Sequence, residues 1–129
     1  MAVNEQNYVD EAERVILKLK NMKRPNGYAV PMVTMTKLRN LLAMATDIYN
    51  EVMNQKSENL TEDLCSRIEY LRVRFLYEAG REEAVRRFVE ESDMINVLKD
   101  IRTSKKRYLA FHRYLEALIA FHKYHGGKD

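Results

Sequence analysis

His122 and His125 are three residues apart, and His112 stands four before Glu116. On a helix such spacings put imidazole and carboxylate groups on one face, where a metal could meet them. A closed metal site needs about four ligands, however. His122 also falls at the centre of an apolar face formed by Tyr108, Phe111, Leu115, Leu118 and Ile119, so it reads as a buried or interfacial histidine. Glu82-Glu83 and Glu90-Glu91 are adjacent pairs, and neighbours in sequence do not share a helix face, so neither pair suits acid–base work. Cys65 has no identifiable activating partner and reads as a small core or boundary residue. The seven methionines read as core filler. No glycine-rich phosphate loop, dinucleotide fingerprint or zinc-ligand cysteine set is present. The sequence therefore predicts neither a catalytic residue nor a metal or cofactor.

The remaining chemistry is cationic. Arg67, Tyr70, Arg74, Tyr77 and Arg81 form a stripe along one helix, at about 100° per residue. Lys37 and Arg39 follow a capping threonine, and Lys105, Lys106 and Arg107 follow Thr103-Ser104. The first turn of a helix favours negative charge, and each misplaced cation there costs about 0.3–1 kcal/mol. Two such helix starts point to an external anion, because free backbone N–H groups and side-chain cations would converge on it. The charge distribution agrees. Residues 101–129 hold seven Lys or Arg against two acids, Glu116 and Asp129, whereas residues 61–100 hold seven against ten. A basic end on a chain of net charge +3 suits an anionic partner.

The elements that position these residues are helices. With 129 residues, two prolines and four glycines, the chain has room for one domain with a real core and little punctuation for strands. The spacing predicts an all-α fold, a single compact bundle of about five helices spanning 1–129. The first runs from about Asn7, its cap, to Met22, and turns out at Lys23-Arg24-Pro25-Asn26-Gly27. Residues 23–35 read as a loop open to movement. The second helix runs from about Lys37 to Gln55, capped by Thr36, on Leu38, Leu41, Leu42, Ala45, Ile48, Tyr49 and Val52. The third, capped by Thr61 or Asn59, packs Leu64, Ile68, Leu71 and Phe75 and leaves Val73 and Leu76 over on a further side. Gly80 is expected to stop it in the left-handed conformation. The fourth starts after Gly80 and is one kinked helix or two short ones, because Ser92-Asp93 interrupts it. The last runs to His125 and stops at Gly126-Gly127, with Lys106, Arg113, Ala117, Ala120 and Tyr124 on its outer face. No apolar run approaches the roughly 18 residues that span a bilayer. A lone cysteine and an N-terminus without a signal pattern fit the cytoplasm.

Several stretches carry a resemblance. Asn7-Tyr8-Val9-Asp10, Thr36-Lys37-Leu38-Arg39-Asn40-Leu41-Leu42, Tyr70-Leu71-Arg72-Val73 through Tyr77-Glu78-Ala79-Gly80-Arg81, and Arg113 to Ala120 followed by Gly126-Gly127 together resemble the small subunit of type III-A (Csm) CRISPR interference complexes. The resemblance covers nearly the whole chain and thins between about residues 21–33 and 54–62. It implies a helical bundle that is not an enzyme. It implies copies that stack into a filament beside the backbone and large subunits of the effector, touching guide RNA and target RNA through basic side chains. The positions that match are Lys37, Arg39, Arg72, Arg81 and Arg113. Arg74 from the stripe and Lys105, Lys106 and Arg107 from the helix-start argument complete the candidate RNA-binding set. Leu115 stands where the family commonly has Met, a harmless exchange, and His125 stands in an aromatic slot, which speaks further against a metal. Two other readings stay open: a helix-turn-helix regulator of duplex DNA reading with Ser104 to His125, and a scaffold without nucleic-acid contact.

Overall fold

The computed structural model describes residues 3–128; Met1, Ala2 and Asp129, at the limits of the expected 1–129 domain, lie outside the described residues. The apolar periods fold into six helices: α1 (Tyr8–Asn21), α2 (Met35–Asn54), α3 (Glu62–Arg81), α4 (Glu83–Glu91), α5 (Met94–Lys99) and α6 (Lys105–Tyr124). No strand forms among the described residues, which hold two isolated bridges, Lys23–Ala29 and Asn59–Ser104. The all-α expectation holds, and the fourth helix is two. Ser92 turns its hydroxyl back onto the Val89 carbonyl at 3.3 Å. Asp93 then takes the left-handed conformation at φ 56°, which Asp tolerates better than most residues.

α6 is the central helix. It packs on α1 on one side and α2 on the other, while α3 packs on α4, α5 and α2. Tyr108, Phe111, Leu115 and Leu118 of α6 are fully buried with Phe75 of α3, Phe88 of α4 and Ile16 of α1. Phe111 meets Phe75 edge-on at 6.4 Å and Tyr108 at 5.3 Å. Two buried tyrosines also tie elements by hydrogen bonds: Tyr108 donates to the Ala45 carbonyl of α2 at 2.5 Å, and Tyr114 to the Ser92 carbonyl at the α4–α5 break at 2.9 Å.

Three boundaries differ from the expected ones. α2 is capped by Thr34, not Thr36, and the Thr34 hydroxyl accepts from the Lys37 N–H at 3.2 Å. The reason is Met35, which is buried and extends the apolar period one step back from Leu38. Gly80 does not stop α3. The helix continues through it to Arg81, and Glu82, extended at ψ 126°, makes the corner into α4. Asn7 occupies the cap position of α1 but its side chain does not cap the helix. Instead Asn4 and Asn7 exchange side-chain-to-backbone hydrogen bonds of 2.8 and 2.9 Å.

The 23–35 segment is tied down at several points. The Arg24 N–H donates to the Tyr28 carbonyl and the Val30 N–H to the Met22 carbonyl, at 2.8 and 3.2 Å. Gly27 turns the corner at φ 86°, and Val30 and Val33 are buried. Beyond it, the buried His122 ring places Nε2 2.6 Å from the Val33 carbonyl, so that nitrogen donates and is not open to a metal. The chain then folds back over α6. Gly126 is at φ 96°, the Gly127 N–H donates to the His122 carbonyl at 2.8 Å, and the Lys128 carbonyl accepts from the Met35 N–H at 2.8 Å.

At the α2–α6 seam, His112 stacks on Tyr49 with ring centroids 4.1 Å apart. Its Nε2 lies 3.2 Å from the Thr46 hydroxyl and its Nδ1 3.1 Å from a Glu116 oxygen. Burial holds the imidazole below its ordinary value of 6.5, and Glu116 pulls the other way without reversing it. The folded state therefore binds its proton less readily than the unfolded chain. The stability contribution is complete above about pH 6.5 and is lost as the pH falls through that value toward the depressed folded one. Urea unfolding at pH about 7.5, 6.5 and 5.5 should show this decline, and His112→Gln should flatten it.

Candidate nucleic-acid interface

The flanks of α2 and α3 that face each other bring three of the expected cations to one place. Lys37, Asn40, Leu41 and Met44 from α2 and Arg74, Glu78 and Arg81 from α3 line a cleft of about 260 Å³, with Val85 of α4. The spacing accounts for this. Lys37, Asn40 and Met44 are three and four apart, as are Arg74, Glu78 and Arg81, so each set shares one helix flank. Two of the stretches that carry the resemblance, residues 36–42 and 77–81, thus meet across the cleft.

Glu78 organises the cationic wall. Its carboxylate lies 3.8 Å from Arg74 and 3.3 Å from Arg81. Both guanidiniums also sit 5.6 Å from the centroid of the Tyr77 ring, an attraction worth about 0.5–1 kcal/mol at an exposed site. Lys37 Nζ is 3.4 Å from a Glu82 oxygen. The three cations are 34 to 56% exposed, although Glu78 itself is only 15% exposed; pairs with so much of the cation in water contribute little to stability, and the cations can turn to a phosphate at low cost. Further along the groove Arg67 pairs with Glu51, beside a shallower depression lined by Tyr70, Arg74, Asp47 and Ile48.

The other candidates lie elsewhere. Arg39 is exposed two residues beyond Lys37, about 200° round α2, and so faces away from the cleft. Arg72, likewise offset from Arg74, pairs with Glu69 at 3.0 Å on the far flank of α3. At the start of α6, Lys105 Nζ donates to the Gln55 carbonyl at the end of α2. Arg107 donates to the Asp100 carbonyl at 2.9 Å. Lys106 and Arg113 are exposed on the outer crest of α6.

The helix-start argument takes a different form in the folded protein. At α6 a carboxylate of the chain itself supplies the anion: Glu58 accepts from the Lys106 N–H and the Ser104 hydroxyl, both at 3.1 Å. The Ser104 hydroxyl in turn accepts from the Arg107 N–H at 3.1 Å. At α2 the Lys128 carbonyl, Thr34 and Glu82 meet the first-turn N–H groups and Lys37. The cleft therefore rests on its side chains rather than on bare helix ends. Sequence reasoning missed Asn40 as a lining residue, and Glu78 as the acid that holds two arginines. The spacing Arg74-Glu78-Arg81 was visible, but nothing in it says which helix flank the stripe will face.

The position of α6 also bears on the duplex-reading alternative. With α1 and α2 on its flanks and eight of its residues buried, it has only its narrow outer crest free and cannot project into a groove as a recognition helix does. No helix among the described residues is long and apolar enough to cross a membrane.

Comparison with known proteins agrees with the residues quoted above. Residues 6–128 match the family model described as Csm2 Type III-A. The chain is similar to the CRISPR system Cms protein Csm2 of Streptococcus thermophilus, 36% identical over 127 residues, covering 98% of both chains. It is 39% identical over 129 residues to the protein of the same name from Mycobacterium tuberculosis, covering 100% of this chain and 99% of the relative. The protein of that name from Enterococcus italicus is 41% identical over 121 residues, covering 88% and 86%.

Proposed function

This chain belongs to the Csm2 Type III-A family, the small subunit of the type III-A CRISPR complex, and from that premise we propose that it grips RNA through the α2–α3 cleft and performs no catalytic step of its own. Guide RNA and target RNA are the polyanions that such a subunit meets, beside the backbone and large subunits and further copies of itself. The observation that carries this reading is the convergence of Lys37, Arg74 and Arg81 on one cleft lined by the stretches that mark the family. Their contacts are to phosphates, so the subunit itself reads no sequence; that task falls to base pairing with the guide. Lys106 and Arg113, exposed on the crest of α6, add positive charge outside the cleft.

The test is a salt titration of single-stranded RNA binding by the purified chain. Three phosphates neutralised in the cleft give a log–log slope of about −2, at about −0.7 for each contact with a single strand. RNAs of unrelated sequence should bind alike. A slope near zero, together with a tagged copy that recovers the other effector subunits but no RNA, would favour the pure scaffold.

A further inference from the structure

We propose that the end of α6 and the strap after it set the position of the first turn of α2, with His122 and Gly127 as positioning residues for Lys37; the consequence for RNA rests on the reading of the α2–α3 cleft as the RNA site. The chain is held there at three successive residues. The Val33 carbonyl accepts from Nε2 of the buried His122 ring at 2.6 Å. The Thr34 hydroxyl accepts from the Lys37 N–H at 3.2 Å. The Met35 N–H donates to the Lys128 carbonyl at 2.8 Å. Two of the three partners come from the far end of the sequence, and they flank the residue that caps Lys37.

The Met35 contact matters because of its place in the helix. Met35 opens α2, and the first N–H groups of a helix have no acceptor within it. An unmet donor at this step leaves the first turn free to fray, and Lys37 lies two residues on, in that turn. Its ammonium pairs with Glu82 and its side chain lines the cleft. A cation held in place before its ligand arrives loses less conformational freedom on binding.

Gly127 makes the hold possible. Its N–H donates to the His122 carbonyl at 2.8 Å. A Cβ at this position would stand 2.8 Å from that same oxygen and 3.0 Å from Cδ2 and Nε2 of the ring. Neither can yield, because the oxygen belongs to helix backbone and the ring is buried and tied to Val33. A larger residue here lifts the strap off α6 and draws the Lys128 carbonyl away from Met35. The two contacts share one geometry, since the ring edge that Gly127 lies against is the edge that holds Val33. A cavity of about 240 Å³ opens beside the strap, lined by Gly126, Gly127 and Lys128 with Lys20 of α1 and Thr34. The strap is therefore kept down by its hydrogen bonds more than by packing.

Amide hydrogen exchange by NMR, read together with anisotropy of a labelled single-stranded RNA, tests this. Gly127→Ala should speed exchange at Met35 about fivefold, the loss of one hydrogen bond. It should also lower RNA affinity about threefold to fivefold, the share of Lys37. The second loss should vanish in a Lys37→Ala background, because the strap acts through that residue. His122→Phe keeps a buried ring, drops the donor to Val33 and should produce the same pair of losses. Lys128→Ala keeps the backbone carbonyl, so it should leave Met35 exchange native and change affinity by less than about twofold. Unchanged exchange at Met35 in Gly127→Ala would overturn the proposal. Faster exchange with native RNA affinity would overturn the role for Lys37, as would an affinity loss that persists in full without Lys37. An equal affinity loss in Lys128→Ala, with Met35 still protected, would assign the effect to the Lys128 charge and end the proposal as well. A native chain that binds no RNA would end the cleft reading instead, and Met35 exchange would then decide the strap by itself.

Discussion

Replacing Lys37, Arg74 and Arg81 together by alanine lowers affinity for single-stranded RNA about 100-fold, at roughly 1 kcal/mol for each charge-assisted contact. It also reduces the magnitude of the log–log salt slope by about 2. The two effects belong together. A phosphate contact contributes through the counterion it displaces, so a loss of affinity without a change in slope would mean that the cations act by shaping the cleft. The variant should fold, because the side chains removed are largely exposed cations outside the core and each such pair is worth about 1 kcal/mol or less. Circular dichroism checks this, and fluorescence anisotropy with a labelled RNA reads the affinity. Arg39→Ala is the control, since Arg39 faces away from the cleft, and should change affinity by less than about threefold. An equal loss in the control and in the triple variant would remove the cleft from the account.

The second large effect is on folding. Tyr108→Ala should cost about 3–5 kcal/mol, a large part of the roughly 5–15 kcal/mol by which domains of this kind are stable. Tyr108 is fully buried where α6 crosses α2, touches Phe111, and donates to the Ala45 carbonyl. Burial pushes its phenol above the usual tyrosine range, so the hydroxyl stays protonated and donating. Tyr108→Phe separates the two contributions. It keeps the ring and drops the hydrogen bond, and should cost only about 0.5–1.5 kcal/mol. Chemical denaturation of the three proteins measures both. Equal losses for the two variants would place the stabilisation in the hydroxyl rather than in the packed ring.

Much of this arrangement could be read along the chain, because each helix announces its buried side by its own period. Leu64, Ile68, Leu71 and Phe75 are all buried, as their spacing required, and Val73 and Leu76 are exposed, as the surplus on a third side implied. The break at Ser92-Asp93 was legible for the same local reason. What period and composition do not encode is which flank of one helix meets which flank of another. Arg74 and Arg81 were recognisable as a stripe, and Lys37 as a cation near a cap, but their convergence depends on how α2 and α3 lie together. Partners distant in sequence were equally hidden. Glu58 looked like part of a polar linker, yet it closes the start of α6 some fifty residues on, which is why the cations there do not need an outside anion to offset the helix dipole. Gly80 shows the limit from the other side. A glycine near a helix end suggests a stop, but conformation follows the whole chain, and Ala79 and Val85 on either side of the Glu82 corner are both buried.

The return of the chain over α6 has a practical side. The Lys128 carbonyl holds the first N–H of α2, two residues before Lys37. An affinity handle or fluorophore fused just past Lys128 would hang from that anchor, against the first turn of α2 that carries Lys37. Loss of RNA binding in a protein labelled there would report the label. A handle ahead of the Asn4–Asn7 turn lies away from the Lys128–Met35 contact that holds the start of α2, and is the place from which to pull on this subunit.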